Sequence, residues 1–78
     1  MQLLVFSAPW CHPCKVIKPI LEGLSIKTIH IDVDKNPEIS AHHQVGSIPT
    51  LILMDGTTEV RRHLGIISKE KLEQFLEV

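Results

Sequence analysis

The two cysteines of this chain, Cys11 and Cys14, are the residues whose type and spacing point most directly to chemistry. They are the only cysteines among the 78 residues. Residues i and i+3 lie on one face of a helix, so the two sulfur atoms could bond to each other at a first helical turn. Such a disulfide closes only a tiny loop and would be a poor structural staple. The pair is better interpreted as a redox-active dithiol or as half of a metal site.

Histidines are the residues that could complete a metal site with the cysteine pair. Zinc is usually held by four ligands, so two ligands beyond Cys11 and Cys14 would be needed. No second pair of ligands has the spacing of a zinc finger, and we therefore expect no bound metal. The histidines considered for such a site are His12, His42, His43 and His63.

A strand followed by a helix is predicted to carry the cysteine pair. The apolar run from Leu3 to Ser7 is typical of a buried strand. Apolar residues at helical spacing then predict a helix from Cys11 to about Leu24. Pro19 should kink this helix, because proline removes one backbone hydrogen bond. Cys11 would thus stand at the start of the helix, and Cys14 one turn further along.

The rest of the pattern before the last helix predicts one strand, a short helix and then a two-stranded hairpin. Ile26 to Val33 alternates apolar and polar residues, as in a strand with unequal faces. Pro37 suits the first position of a helix that runs to about Gln44, and Asn36 is predicted to cap it. The strands of the hairpin are predicted at Thr50 to Met54 and Thr58 to His63, joined by the turn Asp55-Gly56.

A last helix is predicted after the hairpin, with Ser68 as its cap. Ile67 and Leu72 have the spacing of a hydrophobic staple across that cap. The buried stripe of the helix is formed by Leu72, Phe75 and Leu76. The predicted order is therefore β-α-β-α-β-β-α. The right-handed crossover rule makes the first two strands parallel, and the hairpin makes the last two antiparallel. The predicted fold class is α/β, with a four-stranded mixed sheet flanked by three helices.

Length, composition and charge place the chain among small, single-domain proteins. Residues 1–78 are predicted to form one domain whose core is aliphatic, since 44% of residues are hydrophobic and only three are aromatic. The net charge of −1, with interspersed signs, does not favour a nucleic-acid partner. No apolar run approaches the ~20 residues of a membrane span, and the first residues lack the features of a signal peptide. We therefore expect a cytoplasmic protein.

An ordered series of short motifs gives the chain its resemblance to the thioredoxin family. The first is Trp10-Cys11-His12-Pro13-Cys14-Lys15, and the second is Gly46-Ser47-Ile48-Pro49-Thr50. Further matches are Pro19, Asp34, Asn36, Pro37, Asp55-Gly56 and Gly65. The resemblance covers nearly all of the chain. It implies a thioredoxin-like three-layer sandwich, a cis bond before Pro49, and a thiol–disulfide oxidoreductase that reduces protein disulfides.

Two departures from the family pattern bear on this interpretation. The strand and helix that usually precede the motif are missing from this sequence, so its size resembles a minimal, glutaredoxin-sized core. Thioredoxins also usually have a buried aspartate at the position of Val5, and the lysine that accompanies it aligns with His30.

The two cysteines are expected to divide the chemistry between them. Cys11 should be the nucleophile, because backbone N–H groups and the helix dipole stabilise a thiolate at a helix N-terminus. Cys14 should be buried and should act as the resolving thiol, attacking the mixed disulfide that Cys11 forms with the substrate. The cycle uses the Cys11–Cys14 disulfide and no bound cofactor.

Three residues are predicted to modulate this chemistry. Pro13 fixes the backbone between the cysteines and has no N–H to donate. His12, if protonated, would favour the Cys11 thiolate and make the protein less reducing. Because Val5 replaces the usual acid, we expect His30 to help Cys14 to lose its proton, directly or through water.

The resemblance also implies a substrate-binding groove. A cis peptide before Pro49 would place the backbone of Ile48 beside the cysteines, ready to pair with an extended substrate segment. Pro49 would also crowd the sulfur atoms and keep metals away. The groove around Cys11 is expected to be formed by Trp10, Ile48, Gly65 and Ile66.

Alternatives and partners follow from the same residues. A glutaredoxin-like enzyme coupled to glutathione is one alternative, although Arg62 to Ile66 lacks the paired glycines and the aspartate that glutaredoxins use. An oxidant or isomerase, suggested by His12, is another, and a protein-binding subunit with incidental redox activity is the alternative outside enzymes.

The protein is expected to act as a monomer. Its expected partners are disulfide-containing substrate proteins and an NADPH-dependent flavoprotein, thioredoxin reductase. The resemblance to the family also suggests ribonucleotide reductase as a partner. Neither a nucleic acid nor a membrane is expected to be a partner.

Overall fold

The predicted order of elements is confirmed in the computed structural model, which describes residues 1–77. Val78, the last residue of the predicted domain, lies outside the described residues. The elements are β1 (Gln2–Ser7), α1 (His12–Glu22), β2 (Lys27–Asp32), α2 (Pro37–His42), β3 (Thr50–Asp55), β4 (Thr58–Leu64) and α3 (Lys69–Leu76). Among the described residues, no helix has the length and apolar character needed to cross a membrane.

The four strands form one mixed sheet in the order β2-β1-β3-β4. β1 and β2 are parallel, as the crossover rule predicts, whereas β3 is antiparallel to both β1 and β4. Phe6, near the end of β1, lies opposite Thr50 at the start of β3, and Thr50 also lies opposite Leu64 at the end of β4. Three segments therefore meet at the same end of the strands: those that follow β1 and β4, and the one that precedes β3.

Side chains alternate between the two faces of the sheet, and each face has its own core. On one face, residues of β1 and β3 pack with residues of α1 and α3; this cluster is Leu3, Val5, Ile17, Leu21, Leu51, Ile67 and Leu72. On the other face the buried cluster is Leu4, Phe6, Ile31, Ile52 and Met54, and Val45 and Ile48 pack against it from the segment after α2. Both cores are aliphatic apart from Phe6, as the composition predicts.

The helix caps show where local sequence patterns succeed and fail. Ser68 accepts a hydrogen bond from the backbone N–H of Lys71 at 3.2 Å, so the predicted cap of α3 is confirmed. Asn36 precedes α2 as predicted, but its side chain makes no capping hydrogen bond. Its amide instead donates to the backbone carbonyl of Asp32 at 3.1 Å, so Asn36 occupies the predicted N-cap position without a side-chain capping bond. α2 ends at His42 rather than near Gln44, whose φ of +55° is incompatible with helix.

Arg62 ties β4 to the start of the segment that follows α2. Its guanidinium donates to the carboxylate of Glu59 at 2.6 and 2.7 Å and to the backbone carbonyl of His43 at 2.8 Å. The hydrogen bonds from Arg62 lower the pKa of Glu59 below its ordinary value. This contact fixes the chain shortly before it reaches Ile48 and Pro49, at the edge of the sheet where the cysteines lie.

Candidate active site

Cys11 and Cys14 form a disulfide at the start of α1, with their Cα atoms 5.3 Å apart. Cys11 is the N-cap of the helix and has an extended backbone, and its Sγ accepts a hydrogen bond from the backbone N–H of Cys14 at 3.3 Å. Sulfur thus occupies the place where an N-cap oxygen usually satisfies a free N–H group. The same N–H group and the helix dipole would stabilise a thiolate on Cys11 once the disulfide is reduced.

Burial does not distinguish the two cysteines in this disulfide form. Cys14 is 8% exposed, so the expectation that it is buried is confirmed, yet Cys11 is only 4% exposed. The two cysteines pack with Ala8, and Ile48 and Val33 lie against them. The difference between the cysteines therefore lies in their positions on α1, at its cap and within its first turn.

The segment before β3 lies directly against the disulfide. The Ile48–Pro49 peptide bond is cis, as the resemblance to thioredoxins implies, and Pro49 is fully buried. Ile48 packs against the cluster that the two cysteines form with Ala8. The backbone N–H of Gly65 donates to the carbonyl of Pro49 at 2.9 Å, which joins the segment after β4 to the segment before β3. Gly65 has a φ of +89°, a conformation that side-chain-bearing residues rarely adopt.

Trp10 and Ile66 present apolar surface beside these segments. The side chain of Trp10 is 69% exposed and that of Ile66 is 55% exposed. The indole N–H of Trp10 donates to the Asp34 carboxylate at 2.7 Å, which fixes the ring despite its exposure. Asp34 was not predicted to contact Trp10, although the parallel pairing of β1 with β2 brings the segments after both strands to the same edge.

His12 and Pro13 occupy the first two positions of α1, where a proline is well tolerated. His12 is exposed to solvent and Pro13 is partly buried. Both therefore lie between the cysteines in the first turn, as the sequence requires.

His30 and Cys14 line the same cleft, which has a volume of about 530 Å³. His30 lies opposite Val5 in the register of β2 with β1, and Val5 also lines the cleft. The structure thus places an ionisable side chain and the second cysteine in one solvent-accessible space. Lys18 and Asp32 line it too and were missed by the sequence analysis. Lys18 follows Cys14 by four residues on α1, so helical spacing alone could have indicated it.

The histidines do not assemble around the cysteines. Within residues 1–77, no group of three or more His, Cys, Asp or Glu side chains is arranged to hold a metal ion. The rings of His42 and His43 contact each other, with centroids 5.1 Å apart, and His63 contacts the backbone of Ile66.

An α/β fold that holds a disulfide at the first turn of a helix, with one sulfur as the helix cap, has the arrangement of a thiol–disulfide oxidoreductase. A family model described as Thioredoxin matches residues 1–78. The chain therefore belongs to the thioredoxin family.

Curated relatives agree with this assignment. The chain is 40% identical over 81 residues to a thioredoxin of Chlamydia trachomatis, an alignment that covers 97% of this chain and 79% of the relative. It is 40% identical over 83 residues to a thioredoxin of Staphylococcus aureus, covering 99% of this chain and 80% of the relative.

Solved structures confirm the fold. A single-site mutant of a thioredoxin from Halobacterium salinarum superposes with a TM-score of 0.88 at 28% identity, covering 96% of this chain and 70% of that chain. The oxidised form of mitochondrial thioredoxin 3 from Saccharomyces cerevisiae gives a TM-score of 0.86 at 28% identity, covering 96% and 74%.

Proposed function

We propose that this chain, acting as a single thioredoxin domain over residues 1–78, reduces disulfide bonds in other proteins. The observation that carries the proposal is the position of Cys11. Its sulfur caps α1, accepts a backbone hydrogen bond, and is bonded to Cys14, directly after the exposed Trp10 in the chain. A reversible dithiol in such a place can exchange with a disulfide presented by a partner protein.

The cycle has two displacement steps. In the first, the Cys11 thiolate attacks one sulfur of the substrate disulfide, so that a mixed disulfide forms, the substrate S–S bond breaks and one substrate thiolate leaves. In the second, the Cys14 thiolate attacks Sγ of Cys11, the Cys11–Cys14 disulfide forms, and the second substrate thiolate leaves. Two electrons pass to the substrate, and its two thiolates take up the protons that the cysteines released.

The apolar surface around Cys11 suits an extended protein segment. We assign substrate binding to Trp10, Ile48, Gly65 and Ile66, and we assign to Pro49 the role of shaping the backbone beside the cysteines. Support comes from the exposure of Trp10 and Ile66, and from the packing of Ile48 against the cluster that contains the cysteines. A flat apolar surface next to the nucleophile would stabilise a substrate segment by removing its apolar side chains from water.

His12 and Pro13 are proposed to tune the potential of the dithiol. Their support is their position in the first turn of α1, where they separate the two cysteines in the chain. A positive charge on His12 would favour the reduced, thiolate form, and Pro13 would keep the turn that holds the cysteines rigid.

His30 is proposed to accept the proton of Cys14 through water in their shared cleft. Cys14 must become a thiolate before the second displacement, and its surroundings include apolar residues such as Val5 and Ile17. An apolar environment disfavours a thiolate, so a base that water can link to the sulfur would speed this step. A histidine is suited to that task near neutral pH.

His30→Leu should slow the second displacement about tenfold at pH 7, at or below the low end of the usual contribution of a general base. The reaction of the reduced protein with 5,5′-dithiobis(2-nitrobenzoic acid) measures both steps, because each releases one coloured thiolate. The first release should keep its rate, and only the second should slow and change its pH profile. His42→Leu, at an exposed position outside the cleft, is the matched control. An unchanged second phase between pH 6 and 9 would rule out this role for His30.

The Cys11–Cys14 disulfide must be reduced again after each cycle. We propose that an NADPH-dependent flavoprotein, thioredoxin reductase, supplies the electrons, and that the chain works as a monomer in the cytoplasm without a bound cofactor. Disulfide-containing proteins are the proposed substrates, with ribonucleotide reductase as a candidate among them. The proposal is tested by the reduction of insulin with NADPH and a thioredoxin reductase, with Cys11→Ser as the control.

A further inference from the structure

The segment that joins β4 to α3 is anchored on both sides of Ile66. On one side, the N–H of Gly65 donates to the Pro49 carbonyl at 2.9 Å. On the other side, Ile67 is buried in the core, and Ser68 caps α3. Ile66 stands between these anchors with its apolar side chain more than half exposed.

A third contact holds the backbone of Ile66 itself. Nε2 of His63 lies 3.2 Å from the carbonyl oxygen of Ile66. A carbonyl oxygen can only accept a hydrogen bond, so Nε2 must carry a hydrogen and act as the donor. The contact therefore selects the Nε2–H tautomer of the neutral ring, and the doubly protonated ring can also make it.

The ring of His63 is in turn oriented by α3. Its centroid lies 6.3 Å from that of Phe75, with an angle of 76° between the planes, which is the edge-to-face arrangement that aromatic rings favour. Phe75 packs against the core, and its carbonyl accepts a hydrogen bond from Arg61 of β4 at 3.1 Å. The imidazole thus links α3 to the exposed segment at Ile66.

We infer that His63 is a positioning residue for protein substrates: it holds the Ile66 carbonyl so that the Ile66 side chain is presented beside the disulfide in one conformation. This inference rests on the proposed function and adds a residue that none of the motifs contains. A segment that is already ordered loses less conformational entropy when a substrate binds. His63 should therefore affect the binding of a protein substrate and leave the reactivity of the cysteines unchanged.

Two variants separate the hydrogen bond from the ring contact. His63→Phe keeps an aromatic ring against Phe75 but removes the N–H donor, whereas His63→Gln keeps an amide N–H of similar reach and removes the ring. KM and kcat are measured for insulin reduction with dithiothreitol as the electron donor. We expect His63→Phe to raise KM about fivefold, as the loss of one neutral hydrogen bond would. Its kcat should be unchanged, and His63→Gln should keep the wild-type KM.

A small disulfide provides the control for intrinsic reactivity. The rate of the first step with 5,5′-dithiobis(2-nitrobenzoic acid) should stay within about twofold of wild type in both variants, because this reagent is too small to depend on an ordered segment. Thermal unfolding confirms that each variant is folded; if His63→Phe fails this check, His63→Leu replaces it.

The inference would be overturned if His63→Phe, or His63→Leu in its place, kept the wild-type KM. It would also be overturned if His63→Gln raised KM. Failure of the proposed function looks different, because the wild-type protein itself would then not reduce insulin. Ile66→Ser further separates a failure of the inference about His63 from a failure of the proposed substrate groove. This variant should raise KM if the groove binds substrate, whatever the role of His63.

Discussion

Replacing Cys14 with serine is expected to turn the protein into a trap that stays covalently bound to its substrate. Cys11 would still attack the substrate disulfide, but no second thiol would then displace it, so the mixed disulfide accumulates. Incubation of reduced Cys14→Ser with insulin should give an adduct that mass spectrometry detects and that dithiothreitol releases. Catalytic turnover should fall by at least about a hundredfold, as expected when a residue of the reacting unit is removed.

Cys11→Ser is the matched variant for this prediction, because it removes the other sulfur of the same disulfide. It should form no adduct with insulin and should lose turnover at least as severely, since the attacking sulfur is gone. The two cysteines are almost equally buried, so their different fates would come from the helix cap at Cys11. An adduct through Cys14 in the Cys11→Ser variant, with none in Cys14→Ser, would show that the roles are reversed.

Leu72→Ala is expected to have the largest effect on stability. Leu72 has no exposed surface, and it belongs to the cluster in which α1 and α3 pack on the sheet. Truncating a buried leucine to alanine costs about 2–5 kcal/mol, because apolar contacts are lost and a cavity remains. Small domains have total free energies of unfolding near the low end of ~5–15 kcal/mol, so this substitution should remove roughly 40% or more of the stability of the protein.

Urea unfolding followed by circular dichroism measures this loss. Leu64→Ala is the matched control, since the same atoms are removed from a side chain that is 57% exposed. Its free energy of unfolding should change by only about 0.5 kcal/mol, as is usual for surface positions. Equal losses in the two variants would contradict the assignment of Leu72 to the core that joins α3 to the sheet.

The order of the elements could be predicted from the sequence because each has a strong local signal. The apolar run of β1, the Asp55-Gly56 turn and the Ser68 cap act over a few residues, and tertiary contacts reinforce them. Asn36 is the N-cap of α2 as predicted, but its side chain donates to the carbonyl of Asp32 instead of making the capping hydrogen bond. Which of two nearby polar groups a side chain selects depends on the folded backbone, and residue type alone does not determine it.

In the candidate site, too, the sequence indicated the main residues but not all of their contacts, here between residues far apart in the chain. The motifs indicated the cysteines and the cis bond before Pro49, and the antiparallel register of β3 brings them together. The hydrogen bond of Trp10 to Asp34 and the contact of His63 with Ile66 were not predicted. These pairs connect side chains through strand pairing and helix packing, so they become visible only when the strands are placed side by side.

The reduction potential of the Cys11–Cys14 pair tests most directly whether this protein is a reductant. It is measured by thiol trapping in buffers of defined redox potential, where about 30 mV corresponds to a tenfold change in the equilibrium constant of a two-electron couple. A reductant recharged by a thioredoxin reductase should have a value near or below about −250 mV. A value near or above about −200 mV would contradict that role, and would instead indicate glutathione coupling or an oxidising or isomerising activity in which His12 takes part.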